Sequence, residues 1–94
     1  MAYDFNLPPD SGFQRPHVYG PYKRGEGNTT HAHSIEDRGH LSIAFRGSFD
    51  VYAKLPDGTD VRGVMNPWVY IRPLVEHRFV AREDGSCFIC LRGR

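Results

Sequence analysis

Histidine is the residue type whose spacing in this chain points to chemistry, because three of its five histidines, His31, His33 and His40, fall within ten residues. Side chains two residues apart on a β-strand point to the same face, so His31 and His33 would aim at one spot. His77 lies far down the chain and adds a fourth imidazole if the fold brings it back. Neutral imidazoles around one position form a site for a divalent transition metal. The predicted cofactor is one such ion per chain, and this ligand set does not choose among Mn, Fe, Co, Ni, Cu and Zn.

Each predicted ligand has a simpler interpretation, as a surface or core histidine of a metal-free domain. Glu36 and Asp37 could supply a carboxylate ligand if their loop folds inward, although a solvated loop is the favoured interpretation. His17 follows a proline in an irregular stretch and is predicted to be a surface residue. No serine lies in a nucleophile motif, so the catalytic residues stay unassigned.

Turn signals recur every eight to twelve residues along the chain and separate short apolar or alternating runs. They predict an all-β sandwich or barrel without a convincing helix. Residues 1–16 carry three prolines and predict an extended arm, followed by a single β-barrel domain over 17–94. The predicted strands are 18–22, 29–33, 40–46, 48–55, 60–65, 68–71, 77–82 and 87–91.

Strand parity predicts which side chains enter the barrel. His77 and Phe79 share one face of their strand, and Arg78 and a second arginine share the other. The face with the arginines must therefore be the solvent-exposed one. His40 shares its face with Ser42. The opposite face of that strand would pack against another layer, such as a second subunit, and consists of Leu41, Ile43 and Phe45.

A substrate pocket is predicted from aromatic and apolar residues in the barrel, with a plain core role as the alternative. Arg46 and Arg72 could meet an anionic substrate, the alternative being ordinary surface arginines. Cys87 and Cys90 would face opposite sides of a strand, so they are predicted to be reduced core residues rather than a zinc pair or a disulfide. The predicted pocket residues are Tyr52, Trp68, Tyr70, Phe79, Phe88 and Cys90.

The composition excludes several classes of function. A net charge of +1 with scattered Lys and Arg gives no reason to expect nucleic acid or an anionic membrane as partner. No apolar stretch approaches about 18 residues, so no membrane span is expected. The N-terminus has no signal-peptide pattern, and a cytoplasmic location is therefore predicted.

The histidine-rich segment resembles the first motif of the cupin family of small β-barrels, written G-x5-H-x-H-x3,4-E-x6-G. Gly25, five residues, His31 and His33 match its front half, and His40, six residues and Gly47 match its back half. His40 stands where the family has glutamate, as in cupins that hold their metal with four histidines. The loop 34–39 is about two residues longer than the motif allows.

The second cupin motif, G-x5-P-x-G-x2-H-x3-N, is matched in outline from Asn66 to His77. Asn66 replaces the first glycine, and Ala81 replaces the final asparagine. Either Arg72 replaces the proline, or Pro73 keeps it at the cost of a one-residue deletion. Both alignments retain His77 as the histidine of the motif.

The resemblance implies a double-stranded β-helix, or jelly-roll barrel, with a mononuclear metal held by His31, His33, His40 and His77. It implies a small organic molecule as substrate, with oxygenase chemistry commonest and isomerase or lyase activity next. It also implies a homodimer that pairs through its sheets. The alternative function is non-catalytic binding or sensing of a small ligand, with the metal structural or absent.

Overall fold

The computed structural model describes residues 16–28 and 39–92, except for the side chain of Arg92. Within these ranges the chain forms strands and turns, and no helical segment there could cross a membrane. The predicted strand 29–33 and almost all of the predicted arm 1–16 lie outside the described residues. The strands are β1 (His17–Tyr22), β2 (His40–Arg46), β3 (Phe49–Lys54), β4 (Asp60–Met65), β5 (Trp68–Ile71), β6 (Glu76–Ala81) and β7 (Ser86–Arg92).

The described strands form two antiparallel sheets that enclose one core. One sheet has the order β1-β7-β2-β5 and the other has the order β4-β3-β6. Every neighbour in the four-stranded sheet is distant in sequence, which is typical of a jelly roll rather than of a meander. The predicted all-β class is therefore confirmed.

A tight turn sets the register of the β3–β4 hairpin, as the sequence Pro56-Asp57-Gly58 predicts. Asp57 Oδ1 accepts a hydrogen bond from the Thr59 backbone N–H at 2.9 Å, and Gly58 takes a φ of 91° that suits glycine. Hydrogen bonds from Thr59 hold the pKa of Asp57 below its ordinary value. The pairing then runs without interruption from Lys54↔Asp60 to Phe49↔Met65.

Alternation along β6 places its side chains as strand parity predicts. His77 and Phe79 are 1% and 0% exposed, whereas Arg78 is exposed. Phe79 joins Phe49 and Phe88, both 0% exposed, in an aromatic core whose rings meet edge to face. This core lies between the two sheets and fills one part of the barrel.

The two cysteines are buried and neither forms a disulfide, which confirms their predicted core role. Cys87 lies directly against β1, since a Cβ added at Gly20 would come within 3.2 Å of its sulfur. Cys90 lies in the core beside Ser42, with 3.1 Å between sulfur and hydroxyl oxygen.

The outer face of the four-stranded sheet is apolar, and we call it the outer apolar face. Val18 pairs with Ile89, Ile89 with Ile43, and Ile43 with Trp68, so one row of apolar side chains crosses all four strands. Val18 and Trp68 are 65% and 61% exposed. An apolar area that crosses a whole sheet is typical of an interaction surface. The face consists of Val18, Leu41, Ile43, Phe45, Trp68, Tyr70, Ile89 and Leu91.

Gly27 fastens the segment that leads toward His31 onto strand β6. It forms a β-bridge with Val80, and the next residue, Asn28, accepts a hydrogen bond from the Phe79 backbone N–H at 2.7 Å. The backbone approach is so close that a Cβ at Gly27 would collide with the Phe79 carbonyl group. Only glycine fits this contact.

Replacing Gly27 by alanine is therefore expected to lower the free energy of unfolding by about 1–3 kcal/mol, the usual cost of forcing extra atoms into a packed site. Denaturant unfolding measures it. Gly63→Ala is the matched control, because no atom lies within 4 Å of a Cβ added there. Equal stability of the two variants would contradict the proposed close contact.

Candidate functional site

Two of the predicted metal ligands meet inside the barrel, one from each sheet. His40 opens β2 in the four-stranded sheet, and His77 is the second residue of β6 in the other. Their Nε2 atoms lie 3.1 Å apart and their ring centroids 4.9 Å apart. They are 3% and 1% exposed, so the two imidazoles form a buried polar centre that bridges the sandwich.

The second nitrogen of each ring is held by the protein. His77 Nδ1 donates a hydrogen bond to the Val75 carbonyl oxygen at 2.8 Å. His40 Nδ1 is hydrogen-bonded with the Ser42 hydroxyl at 3.3 Å, and that hydroxyl is hydrogen-bonded with Cys90 Sγ at 3.1 Å. Both rings are therefore oriented so that their Nε2 atoms face one another.

This arrangement fits a bound divalent metal. Two imidazole nitrogens bonded to zinc at about 2.0–2.1 Å, with an angle between a right angle and a tetrahedral one, lie about 2.9–3.4 Å apart. The observed separation of 3.1 Å between the Nε2 atoms falls in that range. Hydrogen bonds from the other ring nitrogen to a carbonyl or hydroxyl oxygen are also usual for metal-binding histidines.

The other predicted ligands, His31 and His33, lie outside the described residues, as do Glu36 and Asp37. Within residues 16–28 and 39–92, no group of three or more His, Cys, Asp or Glu side chains is placed to hold a metal. The structure thus brings together His40 and His77, and the complete four-histidine set stays a prediction.

Described residues on both sides of the undescribed stretch lead to the strands of the two histidines. Asn28 accepts a hydrogen bond from the backbone of Phe79, on the strand of His77, and Gly39 directly precedes His40.

A cavity of about 320 Å³ lies next to the two-histidine centre, between the β3–β4 hairpin and β5. Its wall includes Ala53, which pairs with His77 across β3 and β6, and Ile71, which pairs with His40 across β2 and β5. The imidazole rings themselves are not part of the wall. Among the twelve wall residues that the structure describes, eight are aliphatic, two are arginines, Arg62 and Arg72, and none is acidic.

The predicted pocket residues occupy different parts of the molecule. Tyr70 lines the cavity, whereas Phe79, Phe88 and Cys90 belong to the buried core. Trp68 is 61% exposed on the outer apolar face.

Tyr52 lies on the outer side of β3, where the guanidinium groups of Arg62 and Arg78 stack on its ring. Arg46 is exposed at the end of β2, and His17 is exposed as predicted.

Sequence reasoning missed Ser42 as part of the centre, although parity placed it on the face of His40. Ser42 is 0% exposed, and a buried hydroxyl two residues from a predicted ligand on the same strand face was an available signal. Nearby, burial raises the pKa of Tyr22 above its ordinary value, with smaller contributions from Tyr19 and Cys90. The Tyr22 phenol therefore stays neutral and packs against the core.

Comparisons with known proteins bear on the fold. No family model matches the chain, and no curated protein matches it. The structure of QdtA, a sugar 3,4-ketoisomerase from Thermoanaerobacterium thermosaccharolyticum in complex with TDP, superposes with a TM-score of 0.72 at 21% identity over 87% of this chain. The chain spans 60% of the length of QdtA.

A second solved structure, that of a protein from Neisseria meningitidis, matches with a TM-score of 0.50 at 16% identity. This match covers 85% of this chain and 84% of the other. At these identities the likeness concerns the fold. The predicted fold class, an all-β double-stranded β-helix of the cupin type, is confirmed.

Proposed function

We propose that this chain is a metal-binding cupin that acts on a small organic molecule. His40 and His77, together with His31 and His33, would hold one divalent transition metal inside the barrel. The observation that carries the proposal is the 3.1 Å approach of two buried Nε2 atoms whose rings are each fixed through their other nitrogen.

The chain's own residues prepare the centre for a cation. Val75 fixes the ring of His77 with its Nε2 lone pair inward, and Ser42 orients the ring of His40. Burial of both rings excludes bulk water. A bound divalent metal supplies Lewis acidity and can polarise a substrate oxygen.

Metal analysis of the purified protein tests the proposal directly. We expect about one transition-metal ion per chain after reconstitution and removal of loosely bound metal. Protein that stays metal-free after incubation with each of the six candidate metals would overturn it.

The cavity supports a substrate class. Its aliphatic wall suits an apolar body. Its described residues include two arginines and no carboxylate, which suits an anionic group. Arg62 already donates a hydrogen bond to the Tyr52 hydroxyl at 3.2 Å, so Arg72 is the cation that we assign to the ligand. A short branched carboxylate such as isovalerate is a simple probe of this class.

Arg72→Ala is expected to weaken isovalerate binding roughly 10–150-fold, because a charge-assisted hydrogen bond contributes about 1.5–3 kcal/mol. Binding of the neutral amide of the same acid should not change. Calorimetric titration measures both. Arg82→Ala is the control, since Arg82 faces Asp50 at 3.6 Å and is not part of the cavity wall. Equal carboxylate affinity in the two variants would remove Arg72 from the site.

Oxygenase chemistry is the reaction that we propose first, and isomerisation, the activity named for QdtA, comes next. Oxygen consumption by metal-loaded protein with small diketones, thiols and phenols tests the first. Non-catalytic ligand binding is the second candidate function, and it is favoured by the cavity wall, which contains neither imidazole ring. Ligand binding without any turnover would select it.

We also propose that two copies pair through the outer apolar face, which carries no charged residue. Trp68→Glu is expected to shift the protein from dimer to monomer in sedimentation experiments, because pairing through that face would bury the new charge. Leu74→Glu changes an equally apolar residue that is 48% exposed elsewhere and should stay dimeric. A wild-type monomer at high concentration would contradict the pairing.

We propose that the protein is located in the cytoplasm. Both cysteines are thiols, and Cys87 and Cys90 form no disulfide. Reduced cysteines are usual in a reducing compartment.

A further inference from the structure

Four hydrogen bonds connect Cys90, Ser42, His40, His77 and the Val75 carbonyl in one continuous chain through the barrel. The separations are 3.1 Å from Cys90 Sγ to Ser42 Oγ, 3.3 Å from Ser42 Oγ to His40 Nδ1 and 3.1 Å between the two Nε2 atoms. The last bond runs from His77 Nδ1 to the Val75 oxygen at 2.8 Å. All four side chains are 5% exposed or less.

The Val75 carbonyl fixes the direction of this chain, because a carbonyl oxygen can only accept. His77 Nδ1 must therefore carry a hydrogen, which leaves a lone pair on Nε2 of the neutral ring. When the two Nε2 atoms bond to each other, His40 Nε2 is the donor and His40 Nδ1 is the acceptor. Ser42 then donates to Nδ1, and the Cys90 thiol donates to Ser42.

Metal binding requires the hydrogen bonds among His40, Ser42 and Cys90 to run in the opposite direction. Both Nε2 atoms must offer lone pairs to a cation, so the hydrogen of His40 must move from Nε2 to Nδ1. Nδ1 then donates to the Ser42 oxygen, and the Ser42 hydroxyl turns to donate to Cys90 Sγ. The proton that leaves His40 Nε2 passes to solvent as the cation enters, and Nδ1 takes up one proton from solvent in exchange. The hydroxyl and the thiol only rotate, so the three side chains carry the same number of hydrogens before and after.

We propose that Ser42 and Cys90 form a reversible relay that lets His40 change tautomer when a metal binds. Both are positioning residues, because they act on the metal through His40. A hydroxyl suits the position between His40 and Cys90 because it can both donate and accept, and the Cys90 thiol can do the same. The metal-bound state of this relay rests on the proposed function.

Nitrogen-15 NMR of the histidine rings in the full chain tests the relay. In chelator-treated protein we expect His77 with its hydrogen on Nδ1 and His40 with its hydrogen on Nε2. Added zinc should move the His40 hydrogen to Nδ1 and leave the His77 tautomer unchanged. A His40 ring with the same tautomer in both conditions, with zinc bound, would overturn the relay and leave the metal site standing. Failure of zinc to bind the wild-type protein would overturn both.

Variants separate the relay from simple packing. Ser42→Ala should weaken zinc binding about 10–100-fold, the usual effect of removing a group that orients a ligand. Cys90→Ala should weaken it less, and Cys90→Ser should restore it because a hydroxyl keeps both hydrogen-bonding roles. Cys87→Ala removes an equally buried thiol that bonds to Gly85 instead, and it should bind zinc like the wild type. Unchanged zinc affinity in both Ser42→Ala and Cys90→Ala would overturn the relay.

Discussion

The His77→Ala variant is expected to lose its bound metal and to bind added zinc more than about 100-fold more weakly than the wild type. Removing a residue that only orients a ligand costs about 10–100-fold, so removing the ligand itself should cost more. His77 Nε2 lies 3.1 Å from His40 Nε2, and the His77 ring is 1% exposed, so the substitution removes one of the two imidazoles that meet in the buried centre. Metal analysis and titration against a chelator of known affinity measure the loss.

His17→Ala is the matched control for this experiment. His17 is exposed at the start of β1, an edge strand that β7 separates from β2, the strand of His40. The same type of side chain is removed, and the metal content should stay at the wild-type level. Stoichiometric metal in His77→Ala, with the fold intact by circular dichroism, would exclude His77 from the ligand set.

The Phe88→Ala variant should lose about 3–5 kcal/mol of unfolding free energy, the usual cost of deleting a buried aromatic side chain. The ring centroid of Phe88 lies 4.9 Å from that of Tyr19, 5.0 Å from Phe49 and 5.1 Å from Phe79. Phe88 thus joins three strands from both sheets. Because a domain is stable by only about 5–15 kcal/mol in total, much of the population could unfold.

Tyr52→Ala is the control for the core variant. Tyr52 is also an aromatic residue on a central strand, but its ring lies on the outer side of β3 against two arginines. Its replacement should cost about 1 kcal/mol, the contribution of exposed cation–π contacts. Urea unfolding compares the two variants, and equal losses would contradict the central role of Phe88.

The sequence was sufficient to predict most of the strands, because turn residues separate them and polar residues identify their solvent-exposed faces. The predicted and observed bounds agree for β2, β4 and β5. In β6 the arginine at position 78 identified the outer face, and His77 and Phe79 were correctly placed inside. The same reasoning could have placed Tyr52 outside, since Asp50 and Lys54 share its face of β3.

Other features depend on contacts that no local pattern encodes. All four residues of β5 are apolar, so alternation could not decide that Trp68 faces outward and Ile71 inward. The approach of His40 to His77 joins residues 37 positions apart, and that of Ser42 to Cys90 joins residues 48 positions apart. The resemblance to a cupin motif was needed to connect the two histidines before the fold was known.

Anomalous diffraction from crystals grown with excess zinc tests the central claim most directly. We predict one strong peak at the zinc absorption edge, within about 2.0–2.1 Å of the Nε2 atoms of both His40 and His77. Crystals in which those two nitrogens still bond to each other, with no anomalous peak between them, would contradict the metal centre.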